Sequence, residues 1–119
     1  MKTKILIITL AFLLVSVNGL FAQRITREEI VSDIQKILTD IYTVEAAYYN
    51  EFNRYTDKLE ELGIDLEVFS NYWPDYWDVK FYLQEDGFVV EGVGVTSPVL
   101  GEIWDIDSRN GVVRNLSGH

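Results

Sequence analysis

The 119-residue chain contains no cysteine, one histidine and two prolines. Without cysteine there is no disulfide framework, so the fold has to be held by its core alone. The one histidine is His119, the last residue, where chains fray. That excludes Cys/His nucleophile pairs and leaves no interior imidazole for a Ser/His/Asp site or a His-based metal site. Positive charge is scarce too, with ten Lys and Arg against nineteen Asp and Glu. A surface this acidic repels phosphate backbones and anionic lipid, which argues against a nucleic-acid partner and against direct adsorption to membranes. A Gly-rich phosphate loop is also lacking, because Gly92 and Gly94 lie inside a strand pattern with no helix after it. Nothing in the pattern calls for a cofactor.

What is present begins with a leader. Lys2 and Lys4 precede thirteen mostly apolar residues, Ile5 to Val17, and then a polar break at Asn18-Gly19. Ala22 stands at a cleavage position, with Leu20 three residues before the cut. This is the layout of a secretory signal peptide over residues 1–22. The competing reading is a retained anchor, for which Ile5 to Ala22 offers eighteen residues, interrupted by Thr9, Ser16, Asn18 and Gly19. A spanning helix needs about 20 apolar residues. Cleavage leaves eight bases against nineteen acids over residues 23–119, a net charge of −11. Ninety-seven residues make one domain, large enough to bury a core.

Residues 23–119 show no linker, repeat or low-complexity tract. Thr26 and Glu29 form a capping box. Apolar residues then recur at Ile30, Ile34, Ile37, Leu38, Ile41, Val44, Tyr48 and Phe52, one stripe along a helix of about seven turns. Asp33, Lys36, Asp40, Thr43 and Asn50 fall on the opposite face. Tyr49 and Tyr55 suit the rim of a core, ring inside and hydroxyl in water. Thr56 and Gly63 bracket a short second helix as its cap and its left-handed stop. From Trp77 to Gln84, Trp77, Val79, Phe81 and Leu83 alternate with polar residues or Tyr82, the period of a half-buried strand. Glu85-Asp86-Gly87 signals a turn into a second strand, whose inward face the pattern leaves open. Its glycines mark close packing against the helix. Pro98 lies in the loop before a third strand, "EIWDID", and Asn110-Gly111 turns into a short fourth, "VVRNL". The expectation is an α+β fold, a long N-terminal helix packed on an antiparallel β-meander of three to four strands.

The helix end carries Tyr48-Tyr49, then Asn53-Arg54-Tyr55-Thr56, then Leu59, Leu62 and Gly63; Gly87-Phe88 opens a strand, and Ile106 and Gly111 frame the last turn. This succession resembles the type IV pilin and pseudopilin family. Its helix typically ends in paired tyrosines, a Gly-Arg-Tyr-Pro-like turn and a Ser-Leu-x-x-Leu-Gly-like cap. The resemblance covers most of residues 23–119, with Glu45 to Gly63 its specific part, and it implies a pilin-like globular domain. The chain departs from the family at its start. It has no Gly-Phe-Thr-Leu-Ile-Glu-like peptidase site before the apolar run, no acid within that run, and no C-terminal cysteine pair.

Of the constellations that could carry chemistry, Asp105 to Gly111 has alternating acids like a calcium loop. Arg109, however, stands where a third oxygen ligand belongs, and Asn110 where the loop glycine belongs. Glu60-Glu61 and Asp105/Asp107 are paired carboxylates, yet nothing in the pattern builds a cleft around them. Asn115-Leu116-Ser117 is a formal glycan acceptor at the chain end. The best functional candidate is the aromatic cluster Tyr72, Trp73 and Tyr76 around Pro74 and Asp75. Such residues stack on sugar faces or anchor a protein partner, unless they only cover the sheet edge. The expected function is that of an exported, non-enzymatic, periplasmic or secreted module binding a protein or glycan. The alternative is a membrane-anchored subunit of a pilus or secretion-type assembly, should residues 1–22 be retained.

Overall fold

The computed structural model describes residues 25–118; the leader, its cleavage position and His119 lie outside them. Helix α1 runs Arg27–Phe52, followed by two single-turn helices, α2 (Leu59–Leu62) and α3 (Leu66–Phe69). Four strands follow, β1 (Trp77–Gln84), β2 (Gly87–Gly94), β3 (Ile103–Asp107) and β4 (Arg114–Asn115). They form one antiparallel meander in the order β1-β2-β3-β4, with α1 packed on β2 and β3. This is a pilin-like topology. Among the described residues no helix is long and apolar enough to cross a membrane.

The local signals explain why each element starts and stops where it does. Thr26 caps α1 by accepting from the Glu29 N–H at 3.2 Å. At the other end Asn53 turns left-handed (φ 57°) and returns its N–H to the Tyr49 carbonyl. Gly63 does the same for α2 at φ 72°, with Ile64 N–H reaching the Leu59 carbonyl in a Schellman-type closure. Thr56 plays a different part from the expected helix cap. It is buried, and its hydroxyl accepts from Lys58 N–H, the residue before α2, which has no side-chain cap of its own.

Packing settles the open face of β2. Phe88, Val90, Gly92 and Gly94 point inward, and Val89, Glu91 and Val93 are half-buried on the other side. Gly92 lies under Ile34 of α1: a Cβ there would come within 2.4 Å of Ile34 Cγ1 and Cδ1. Gly94 instead makes room for the backbone between β2 and β3, since its Cβ would meet the Val99 carbonyl oxygen at 1.8 Å. Ile30, Ile34, Leu38 and Ile41 are fully buried against Trp77, Phe88, Val90 and Ile106. Trp77 reinforces that seam by donating its indole N–H to the Ile30 carbonyl at 3.1 Å. Arg27 closes the first turn of α1 onto buried Glu102 by a forked pair, Nε to Oε2 at 2.8 Å and Nη2 to Oε1.

The apolar stripe departs from expectation at one end. Phe52 is 52% exposed and rests its ring on Tyr48 at 4.5 Å. Glu45, on the buried side of α1, is completely enclosed. Its Oε1 accepts from Thr56 N–H at 3.0 Å, while Oε2 has no partner. Burial first, with help from nearby Asp57 and Glu61, pushes the Glu45 carboxyl up to about 7 against the Thr56 hydrogen bond, which pulls it down.

Two outcomes follow from these contacts. Gly92→Ala is expected to lower unfolding free energy by about 1–3 kcal/mol in urea titrations, and Gly94→Ala by more, because backbone rather than a side-chain tip must move. Since folding raises the Glu45 pKa, its contribution to stability is complete below about pH 4.5 and lost as pH rises to about 7. Glu45→Gln is expected to flatten that decline in urea midpoints measured from pH 4 to pH 8.

Candidate functional site

Tyr72, Trp73 and Tyr76 lie on the segment joining α3 to β1. A short apolar helix ending at Phe69 and a strand beginning at Trp77 leave seven residues to cross the edge of the fold. They are held at both ends. At the start, Ser70 Oγ donates to Asp33 Oδ2 at 2.6 Å and accepts from the N–H groups of Tyr72 and Trp73 at 3.1 and 2.8 Å. Asn71 N–H adds a bond to Asp33 Oδ1. At the far end Tyr76 carbonyl accepts from Val95 N–H, and Thr96 Oγ1 donates to the Asp75 carbonyl.

Asp33 was expected on the solvent face of α1. It is buried instead, because the loop closes over it and needs an acceptor for backbone N–H groups that no strand takes. The sequence carries a faint mark of this arrangement: an Asp one position from Ile34 on the helix, and a Ser-Asn pair opening the aromatic loop.

All three aromatics are half-buried and pack on the core, but they do not form one platform. Tyr72 and Tyr76 meet edge to face, with centroids 5.7 Å apart. The Tyr72 hydroxyl donates to Glu29 Oε2 at 3.3 Å. Burial first, and then the charge of Glu29, raises the Tyr72 phenol above its ordinary value, so it remains a neutral donor. Its ring borders an open hollow of about 460 Å³ with Glu28, Glu29, Asp33 and Lys36. Trp73 borders a separate hollow of about 470 Å³ with Leu59, Ile64 and Leu66.

No family model matches this chain, and no curated protein or solved structure gives a significant match.

Most of the other candidate groups, Glu60 excepted, are engaged in holding the fold. Asp105 is buried and takes a forked pair from Arg114, at 2.9 and 2.8 Å. Asp107 Oδ1 accepts from Arg109 and Asn110 N–H at the β3–β4 turn. Glu61 accepts from the Tyr48 hydroxyl, and this bond, with Arg54 and Lys58 nearby, holds its carboxyl below the usual value. Asn115 Oδ1 accepts from the Ser117 backbone and hydroxyl.

Because one hydroxyl organises both aromatic N–H groups and the buried acid, Ser70→Ala is expected to cost about 1–3 kcal/mol. Backbone amide exchange at Tyr72 and Trp73 should rise well above that at β2, whose ladder is untouched; equal protection in the variant and the parent would refute the assignment.

Proposed function

We propose that this chain is an exported, non-enzymatic recognition module of the type IV pilin and pseudopilin kind, binding a protein or glycan partner through Tyr72, Trp73 and Tyr76. The observation that carries this reading is the Trp73 environment. A half-exposed indole borders an open hollow, while its own backbone is tied through Ser70 to a buried carboxylate. Aromatic groups held in place before binding lose little conformational freedom on contact, which is what recognition surfaces use. The Glu45 to Gly63 motif and the helix-on-meander topology support the pilin kind. The apolar residues 5–22 behind two lysines support export.

A membrane-held subunit of a larger assembly is the second reading, favoured by that same apolar run if it is retained. Intact mass of the native protein, after membrane and soluble extracytoplasmic fractions are separated, decides between them. A soluble species beginning at Gln23 supports the free module, and a membrane-bound species keeping residues 5–22 supports the subunit.

Trp73→Ala is expected to keep a cooperative unfolding transition while lowering affinity for a captured oligosaccharide or protein about tenfold or more. Collapse of the fold in this variant would make Trp73 a core residue and remove the proposed role.

A further inference from the structure

The hollow beside Trp73 adjoins a second one that is almost wholly apolar. This second trough, about 240 Å³, lies between α1 and the α2–α3 segment and is lined by Ile37, Val44, Ile64, Leu66 and Phe69. Ile64 and Leu66 line both. Phe69 is 46% exposed at the rim and Val68 beside it is more exposed still. The trough is smaller than the about 300–1,000 Å³ of a typical small-molecule pocket, and open, so it suits one inserted side chain better than a whole ligand.

The charge around it says what kind of chain that side chain belongs to. Every charged residue lining the two hollows is acidic: Asp40, Glu60 and Asp65. Lys36, whose ammonium lies over the Phe69 ring, is tied to Asp40 at 3.4 Å. A second copy of this chain would bring the same acids and a net charge of −9 against them, which disfavours self-association through this face. A neutral sugar would leave the apolar floor without a matching group.

We propose that the trough between α1 and the α2–α3 segment docks a basic peptide segment of a partner protein. One large apolar side chain enters between Val44, Ile64 and Phe69, and flanking Lys or Arg residues meet Glu60 and Asp65, which form no ion pair with the chain's own bases among the described residues. Trp73 receives the continuation of the same segment. This rests on the reading of the chain as a recognition module and narrows its partner to a protein.

The test uses the full chain and three synthetic peptides. One has a central Leu flanked by lysines, the second has the same Leu flanked by glutamates, and the third has Ser in place of Leu between lysines. Fluorescence anisotropy is read at low and high salt. The lysine–Leu peptide is expected to bind at least about tenfold tighter than either control, with affinity falling as salt rises. Phe69→Asp should weaken it by about tenfold, and Glu60→Gln with Asp65→Asn should flatten the salt dependence. Glu85→Gln with Asp86→Asn, at the β1–β2 turn, should change neither. Equal binding of the Leu and Ser peptides, or an equal effect of the Glu85/Asp86 variant, would reduce the contact to unspecific charge and overturn the proposal. So would absence of binding. In that case Trp73-dependent capture of an oligosaccharide would leave the recognition module standing, and its absence as well would remove both.

Discussion

Everything in this molecule depends on how closely α1 can lie on the sheet. Ile34 enters the space that Gly92 leaves on β2, and the Trp77 indole N–H reaches the Ile30 carbonyl one turn earlier. A β-carbon at residue 92 would hold the helix away and open the seam between Ile30, Leu38, Phe88 and Ile106. With no disulfide to draw the layers together, dispersion and apolar burial at this contact have to do so. The forked Arg27–Glu102 pair then fixes the direction in which α1 leaves the sheet.

Once that frame exists, buried carboxylates organise the segments that have no ladder of their own. Asp33 gathers Ser70 and Asn71, and Glu45 receives Thr56. The two arrangements differ in completeness. Both oxygens of Asp33 accept a hydrogen bond, whereas one oxygen of Glu45 has none. A fully bonded carboxylate is a stable anchor for the aromatic loop; a half-bonded one makes the turn after α1 sensitive to protonation. The aromatic loop is the better-anchored of the two, and it borders the hollow that continues into the apolar trough.

The elements themselves were legible. Thr26, the Ile stripe, Gly63, the alternation from Trp77 and the Asn110-Gly111 turn each carry a local signal, and an element formed at each, although the fourth strand covers only Arg114–Asn115 of the expected "VVRNL". Side-chain burial was less legible at the margins. Phe52 continues the helical period yet is 52% exposed, and period cannot report which turns of a helix find a covering layer. Asp33 read as a solvent-face position, and the pattern assigned Glu45 no face; only the folded loops supply the backbone donors that each accepts inside. Tyr72, Trp73 and Tyr76 stood out as a cluster, yet chain neighbours on an irregular loop need not share a face, and they border separate hollows.

The amino-acid sequence by itself therefore determined the class of fold, because helix and strand periods, caps and turns are local properties of a few adjacent residues. It also determined the acidic balance and the absence of disulfide chemistry. Only the tertiary structure decided which face of β2 turns inward, which carboxylates are buried, and that an apolar trough rimmed by acids opens beside Trp73. Those features join residues as far apart as Asp33 and Ser70, or Val44 and Leu66, and distance along the chain carries no record of such contacts until the helix lies down on the sheet.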